Sequence, residues 1–389
     1  MHWSRTRFVG VVALITIAAT ATTGVQIPAR ARVEVRIATP PTPFAGSDGV
    51  IHLAYELQVT EMTGVSAASL ERVEVFGSDQ RPLVSYSGAD LDGRVMRPNA
   101  ERSIRYGRLI RGGTTALIHV WVTLGNNQAV PMSLRHALTF LAEDGTQPAA
   151  GNAPIEVLAA RPLVLGPPFR TGIWFAHNGP GDHRSAHWGS ALVNEQGARI
   201  PQRYAIDFIG VDKAGSAVRG DFQKSSNDDW LGFGSEILAV VDATVYAARD
   251  GIADNRALVE PPPPASLSAD DVYGNYVILA VGNATFVHYA HLQRNSVAVK
   301  AGQLVRRGQL LGRLGNSGNT NGAHLHFNVT NDPSPATAQG VPFVFDAFEL
   351  LGTTTAGQVV GAERSSAQPF SPTKRGTALP LGGAVVRFP

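Results

Sequence analysis

The sequence contains no cysteine. That excludes a disulfide framework, a thiolate metal site and a cysteine nucleophile, so any bound metal must be held by His, Asp or Glu. Charge is also sparse, at 16% of residues. No basic stripe of the kind that tracks a nucleic-acid backbone is present, and nucleic-acid partners are not expected. Beyond the first thirty or so residues there is no apolar run long enough to cross a bilayer. What the chain has instead is turn formers: 41 Gly and 25 Pro among 389 residues, with 44% hydrophobic content. That balance fits a turn-rich, mostly β protein of two or three domains.

The N-terminus sets the expected compartment. Arg5 and Arg7 precede an apolar run over residues 8–19, and small residues follow at Ala19-Thr20-Ala21 and Ala29-Arg30-Ala31. This is the layout of a secretory signal peptide over residues 1–31, with cleavage near 21 or 31; a retained anchor is the alternative. Removal takes Arg5, Arg7 and Arg30 with it, and the formal charge moves from +2 to −1 (33 − 3 = 30 basic against 31 acidic). The expected product is a nearly neutral, extracytoplasmic protein of the periplasm or cell envelope, with no membrane contact after processing.

Residues 33–164 read as a β-sandwich. Ile51-His52-Leu53-Ala54-Tyr55-Glu56-Leu57-Gln58-Val59 alternates apolar and polar positions, as do residues 115–124 and 134–143, with turn residues between. His52, His119 and His136 are scattered singly and read as structural. Residues 165–173, rich in Gly and Pro, read as a linker. Residues 353–389, dominated by Ala, Gly, Ser, Thr and Pro, read as a flexible tail.

Between them, residues 174–352 hold seven of the eleven histidines. Residues 174–197 show little periodicity, carry His177, His183 and His187, and are expected to form a long loop. Residues 202–209 read as a strand with Asp207 on the face opposite Tyr204, Ile206 and Phe208. A carboxylate among bulky apolar neighbours needs a partner. Residues 276–281 and 285–291 suggest a hairpin through Gly282-Asn283. Strict alternation along it puts Tyr289 and His291 on one face and His288 on the other, structural or solvent-facing. A Gly/Asn-rich turn over residues 315–322 then leads into His324-Leu325-His326. On a strand, i and i+2 share a face, so His324 and His326 look into one space, which suits a metal site or an acid/base pair.

Asp207, Tyr289-Ala290-His291-Leu292, the Gly/Asn/Thr turn and His324-Leu325-His326-Phe327, with glycine hairpins between, resemble the LytM/lysostaphin-type zinc metalloendopeptidases in content and order. The resemblance covers residues 174–351. It implies an antiparallel duplicated-hybrid-motif sheet following the sandwich, and a Zn2+ cofactor held in part by Asp207 and His326. It further implies catalytic roles for His291 and His324, and peptidoglycan stem or cross-link peptides as substrate. One position departs from the pattern. The family's first ligand is a His four residues before the Asp, and here that residue is Arg203, which has no lone pair to offer a metal. Either the third ligand comes from the preceding loop, with His187 the first choice and His183 the second, or Arg203 fills a degenerate site. The second case makes the chain a non-catalytic peptidoglycan-binding or amidase-activating module.

Overall fold

The computed structural model describes residues 33–62, 67–98, 107–142, 154–194, 197–261, 268–282, 284–361 and 371–389. The expected signal segment lies outside them. No helix among the described residues is long and apolar enough to cross a membrane.

The N-terminal part is a pair of five-stranded antiparallel sheets. In one, the strand Ile51–Glu61 pairs along its length with Thr115–Thr123. Their alternation works on both faces. Leu53, Tyr55, Leu57 and Val59 meet Ile118, Val120 and Val122 in a core internal to the sandwich. The opposite face is covered as well: Ala54 and Leu117 belong to the core of the second half, and Glu56 and His119 are buried. The polar positions of the alternation lie on this face, and it is the face that docks on the rest of the chain.

That rest is built on an eleven-stranded sheet. Its central order is Phe343–Thr353, Ala384–Arg387, Ile173–His177, Ile206–Val211, Leu325–Thr330, Phe286–Leu292, Asn275–Ala280 and Ala243–Arg249. All of these neighbours run antiparallel. One face carries Phe208, Leu325, Phe327, Tyr289 and Val287 into the main apolar core. The other carries Asp207, His326 and Ala290, placed side by side by the registers Asp207↔His326 and Ala290↔His326.

Three expectations change. Residues 173–177 are a strand at the centre of the sheet, not loop: Trp174 and Phe175 are core residues, and neighbouring strands satisfy their backbone. The stretch expected as a linker borders a strand, Leu163–Leu165, that pairs parallel with Phe343–Phe345. The stretch expected as a flexible tail supplies two strands, Thr373–Ala378 and Ala384–Arg387, of which the second is inserted between Ile173–His177 and Phe343–Thr353. Composition over the whole tail hid a short apolar run, Ala384-Val385-Val386, whose residues are 0–1% exposed.

Candidate metal centre and active site

Asp207 is the hub. It stands on the strand Ile206–Val211 and is buried. Its Oδ1 lies 3.0 Å from His326 Nδ1 and 3.2 Å from His187 Nε2, while its Oδ2 accepts a hydrogen bond from Asn178 Nδ2 at 2.9 Å. Burial pushes the carboxyl up, but the neighbouring His187 and His324 outweigh it and hold it well below the usual range. The acid therefore stays ionised.

His187 comes from the segment after the central strand Ile173–His177. Its Nδ1 faces two carbonyl oxygens, Asn178 O at 3.0 Å and Ala205 O at 3.2 Å. Only a proton on Nδ1 satisfies them, which leaves the Nε2 lone pair directed at the Asp207 side. Fixing a ring by a backbone carbonyl in this way is how metal-ligating histidines are commonly oriented. His326 is buried on Leu325–Thr330, with Nδ1 on Asp207 and Nε2 without a partner among the described residues.

One donor atom each from His187, Asp207 and His326 lies within 4.8 Å of the others. Donors bound at 2.0–2.1 Å around a tetrahedral ion stand about 3.3 Å apart. The 3.0 and 3.2 Å separations at Asp207 Oδ1 match that edge. Two imidazoles and one carboxylate, all buried, with a lone pair already aimed, form a donor set that fits zinc and leaves a position open.

His324 stands just before its strand at the rim of this group, 15% exposed at the side chain, with Nε2 3.5 Å from Asp207 Oδ1. Its Nδ1 donates to Gly322 O at 2.8 Å. Burial lowers its pKa, and the charge and hydrogen bond of Asp207 more than reverse this, so the net direction is up. His291 faces it, ring centroids 4.7 Å apart, with Nδ1 donating to Ser317 O at 2.8 Å. Burial, then the charges of His324 and His326, push His291 well below the ordinary histidine value.

His291 reaches the site by a route that alternation does not predict. Tyr289 packs with Phe327 in the core, ring centroids 5.3 Å apart, and its hydroxyl accepts from Val240 N. Strict alternation from Tyr289 sends His291 into the core with it. Instead the pairing with Asn275–Ala280 slips between Asn275 and Val277, and His291 takes φ 62°. This β-bulge turns the ring to the other face. His288, in register with Asn328, is buried on the His326 side of the sheet. It bonds Thr330 Oγ1 through Nε2 and packs on Tyr273, as a structural residue.

The two remaining loop histidines separate. His183 stands against the short helix Gly88–Arg94, its Nε2 2.9 Å from where a Cβ on Gly93 would lie. It takes no part in the donor group. His177 is in register with Asp207 on the adjacent strand; burial lowers its pKa, with Asp207 acting the other way. Arg203 does not occupy the metal position. It is buried in the turn before the Asp207 strand, where Glu56, Gln339 Oε1 and Gly340 O accept its hydrogen bonds.

The model of peptidase family M23 matches residues 232–338. His291, His324 and His326 fall inside that span, and His187 and Asp207 before it. Peptidoglycan DD-endopeptidase ShyC of Vibrio cholerae serotype O1 is 34% identical over 94 residues, 24% of this chain and 19% of the relative. Peptidoglycan DD-endopeptidase ShyA of the same organism is 32% identical over 105 residues, 27% of this chain and 21% of the relative. The chain thus spans about a fifth of the length of these two relatives, 19% and 21%. Among solved structures, the catalytic domain of the antimicrobial peptidase lysostaphin from Staphylococcus simulans aligns with a TM-score of 0.23 and 20% identity. That alignment covers 44% of this chain and 88% of that one. On the family match, the chain carries a domain of peptidase family M23.

Proposed function

We propose that the protein is a zinc metalloendopeptidase that hydrolyses peptide bonds in peptidoglycan stem or cross-link peptides, working outside the cytoplasm. The observation that carries the reading is the convergence of His187, Asp207 and His326 donor atoms within 4.8 Å. The family match and the DD-endopeptidase activity named for the relatives support the reaction class and the substrate.

His187, Asp207 and His326 would hold the zinc, which would act as a Lewis acid and lower the pKa of a water from 15.7 to about 7. Ionised Asp207 balances part of the ion's charge. His324 and His291 take the proton-handling roles. Each has its Nδ1 proton tied to a carbonyl oxygen, so Nε2 is the atom through which each exchanges protons. Their environments push them apart: His324 is raised and His291 lowered. Such a split assigns roles. His324 accepts a proton from the attacking water and passes it to the leaving amine, while His291 stays neutral and orients the reacting groups.

Arg203 supports a working site over a degenerate one: its guanidinium is bound by Glu56 on the sandwich side and leaves the donor group open. The test is direct. Purified protein should hold about one equivalent of zinc and release peptide fragments from isolated sacculi. Activity should vanish on chelation and return with zinc. Protein that holds no zinc, or sacculi left intact by the zinc-loaded form, sinks the reading.

A further inference from the structure

The side chain in the position of the family's missing ligand is not idle. Glu56, on the sandwich strand Ile51–Glu61, is buried and uses both carboxylate oxygens. Oε1 accepts from Trp188 Nε1 at 2.7 Å and from Arg203 Nε at 2.8 Å; Oε2 accepts from Arg203 Nη2. One carboxylate therefore ties two segments of the peptidase half. Each tied residue is one short step from His187. Trp188 is its chain neighbour. Arg203 sits two residues before Ala205, whose carbonyl oxygen receives the His187 Nδ1 proton at 3.2 Å.

The Trp188 ring is also boxed from the sandwich side. His119 packs on it at 4.6 Å between centroids and Trp121 at 6.1 Å, both from Thr115–Thr123. Neither His119 nitrogen has a partner among the described residues, so that ring serves as a flat packing surface. His187 itself lies outside any regular strand or helix. Loop side chains are placed less precisely than strand side chains, and this one has to present a lone pair to a metal. A buried ion pair is weak evidence for stability, since apolar contacts would close the same interface as well. What a two-point Arg–carboxylate contact gives is fixed geometry.

We propose that Glu56 is a positioning residue for the His187 ligand, acting through Trp188 and Arg203, so that the N-terminal sandwich is part of the machinery that completes the metal site. Arg203 and His187 then form one exchange: the residue that cannot ligate anchors the loop that brings the residue that can. The inference rests on the zinc reading above.

A double-mutant cycle on the full chain tests it, read as zinc affinity by chelator competition and calorimetry. Glu56→Gln in the wild-type background should weaken zinc about tenfold, the low end for residues that orient ligands. In a His187→Ala background the same change should leave the residual affinity as it was, because its target is gone. Unchanged affinity in both backgrounds, or an equal loss in both, overturns the proposal, since general loosening of the fold does not depend on His187. Should Glu56→Gln not fold, Trp188→Phe removes the indole N–H together with part of the ring and should give the same asymmetry. Hydrogen exchange over residues 185–190 in the metal-free proteins provides a readout without zinc. Faster exchange in the variant supports the proposal, and identical protection overturns it. A wild-type protein that takes no zinc sinks the functional reading instead, and exchange still decides the positioning.

Discussion

His324 and His326 are one residue apart and separated in role by a few ångströms. His326 Nδ1 sits on Asp207 inside the donor group, whereas His324 stands at its rim, its Nε2 3.5 Å from Asp207 Oδ1. His326→Ala should therefore weaken zinc about 100-fold or more, beyond the loss seen for outer residues, and abolish hydrolysis with it. His324→Ala should keep about one equivalent of zinc and lower kcat/KM by roughly 10²–10⁴, the usual weight of a proton-transfer group. Metal analysis alongside sacculus digestion separates the two; zinc lost equally from both variants removes the division of roles. At this scale the sequence was legible because chemistry narrows the choice. With no cysteine, ligands had to be His, Asp or Glu, and Arg203 could not be one, which pointed to the preceding loop. One-dimensional reading ranked His187 ahead of His183 but could not say what would orient its ring. The difference lies in two carbonyl oxygens, of Asn178 and Ala205, that orient the first, and carbonyl positions are not written in side-chain identity.

At the level of elements, the bulge at His291 and the Gly/Asn turn form one unit. Ser317 O holds His291 Nδ1, Ser317 Oγ donates to Leu292 O and accepts from Asn275 N. Gly274, at φ +66°, lets the turn come close: a Cβ there would stand 2.4 Å from Ser317 C. Gly274→Ala should push Ser317 away and release His291. The expected cost is about 2 kcal/mol or more of stability from backbone strain and overpacking, with activity lost further than stability and zinc retained. Urea unfolding and metal analysis of the variant check this; wild-type activity in a destabilised protein contradicts the coupling. The hairpin was legible from its alternation and its turn, and the bulge was not. A single slipped residue leaves composition and spacing unchanged, so the reading that paired His291 with Tyr289 had nothing to correct it. The positive φ of a non-glycine residue is a tertiary decision, held in place by Ser317 from a turn 26 residues away.

Across the whole molecule, the fold class was legible and the boundaries were less so, because interfaces look polar in sequence. The strand Ile51–Glu61 alternates as though half exposed, yet its polar face is closed by Arg203 and Trp188. The terminal strand Ala384–Arg387 is similarly hidden in a polar tail. Ending the chain after Gly361 would remove Val385, Val386 and Phe388 from the core, at about 1.5–3 kcal/mol for each buried side chain. The deletion would also leave one edge of each flanking strand unpaired. That sum approaches the 5–15 kcal/mol of a typical domain, so the truncated protein should lose cooperative unfolding. Two buried histidines, His119 at the sandwich interface and His288 within the sheet, give the molecule a pH dependence. Burial drives His119 from 6.5 down to about 3, and His288 likewise. Both rings are neutral when folded, while the unfolded chain takes up protons below 6.5. Their contribution is therefore complete above pH 6.5 and is lost as pH falls towards about 3, at up to about 1.4 kcal/mol per pH unit for each group. Asp207, held below its ordinary 3.8, adds a loss in the same direction at the acid end of that window. Urea midpoints of the metal-free protein should fall steadily from pH 7 to pH 4. His119→Phe keeps a ring against Trp188 and removes two buried nitrogens that have no partner. It should flatten that fall by about one proton while leaving the midpoint at pH 7 equal or higher. An unchanged slope would mean that His119 is protonated in the folded state, in contact with the buried Glu56 charge, and that the sandwich meets the sheet through a second ion pair.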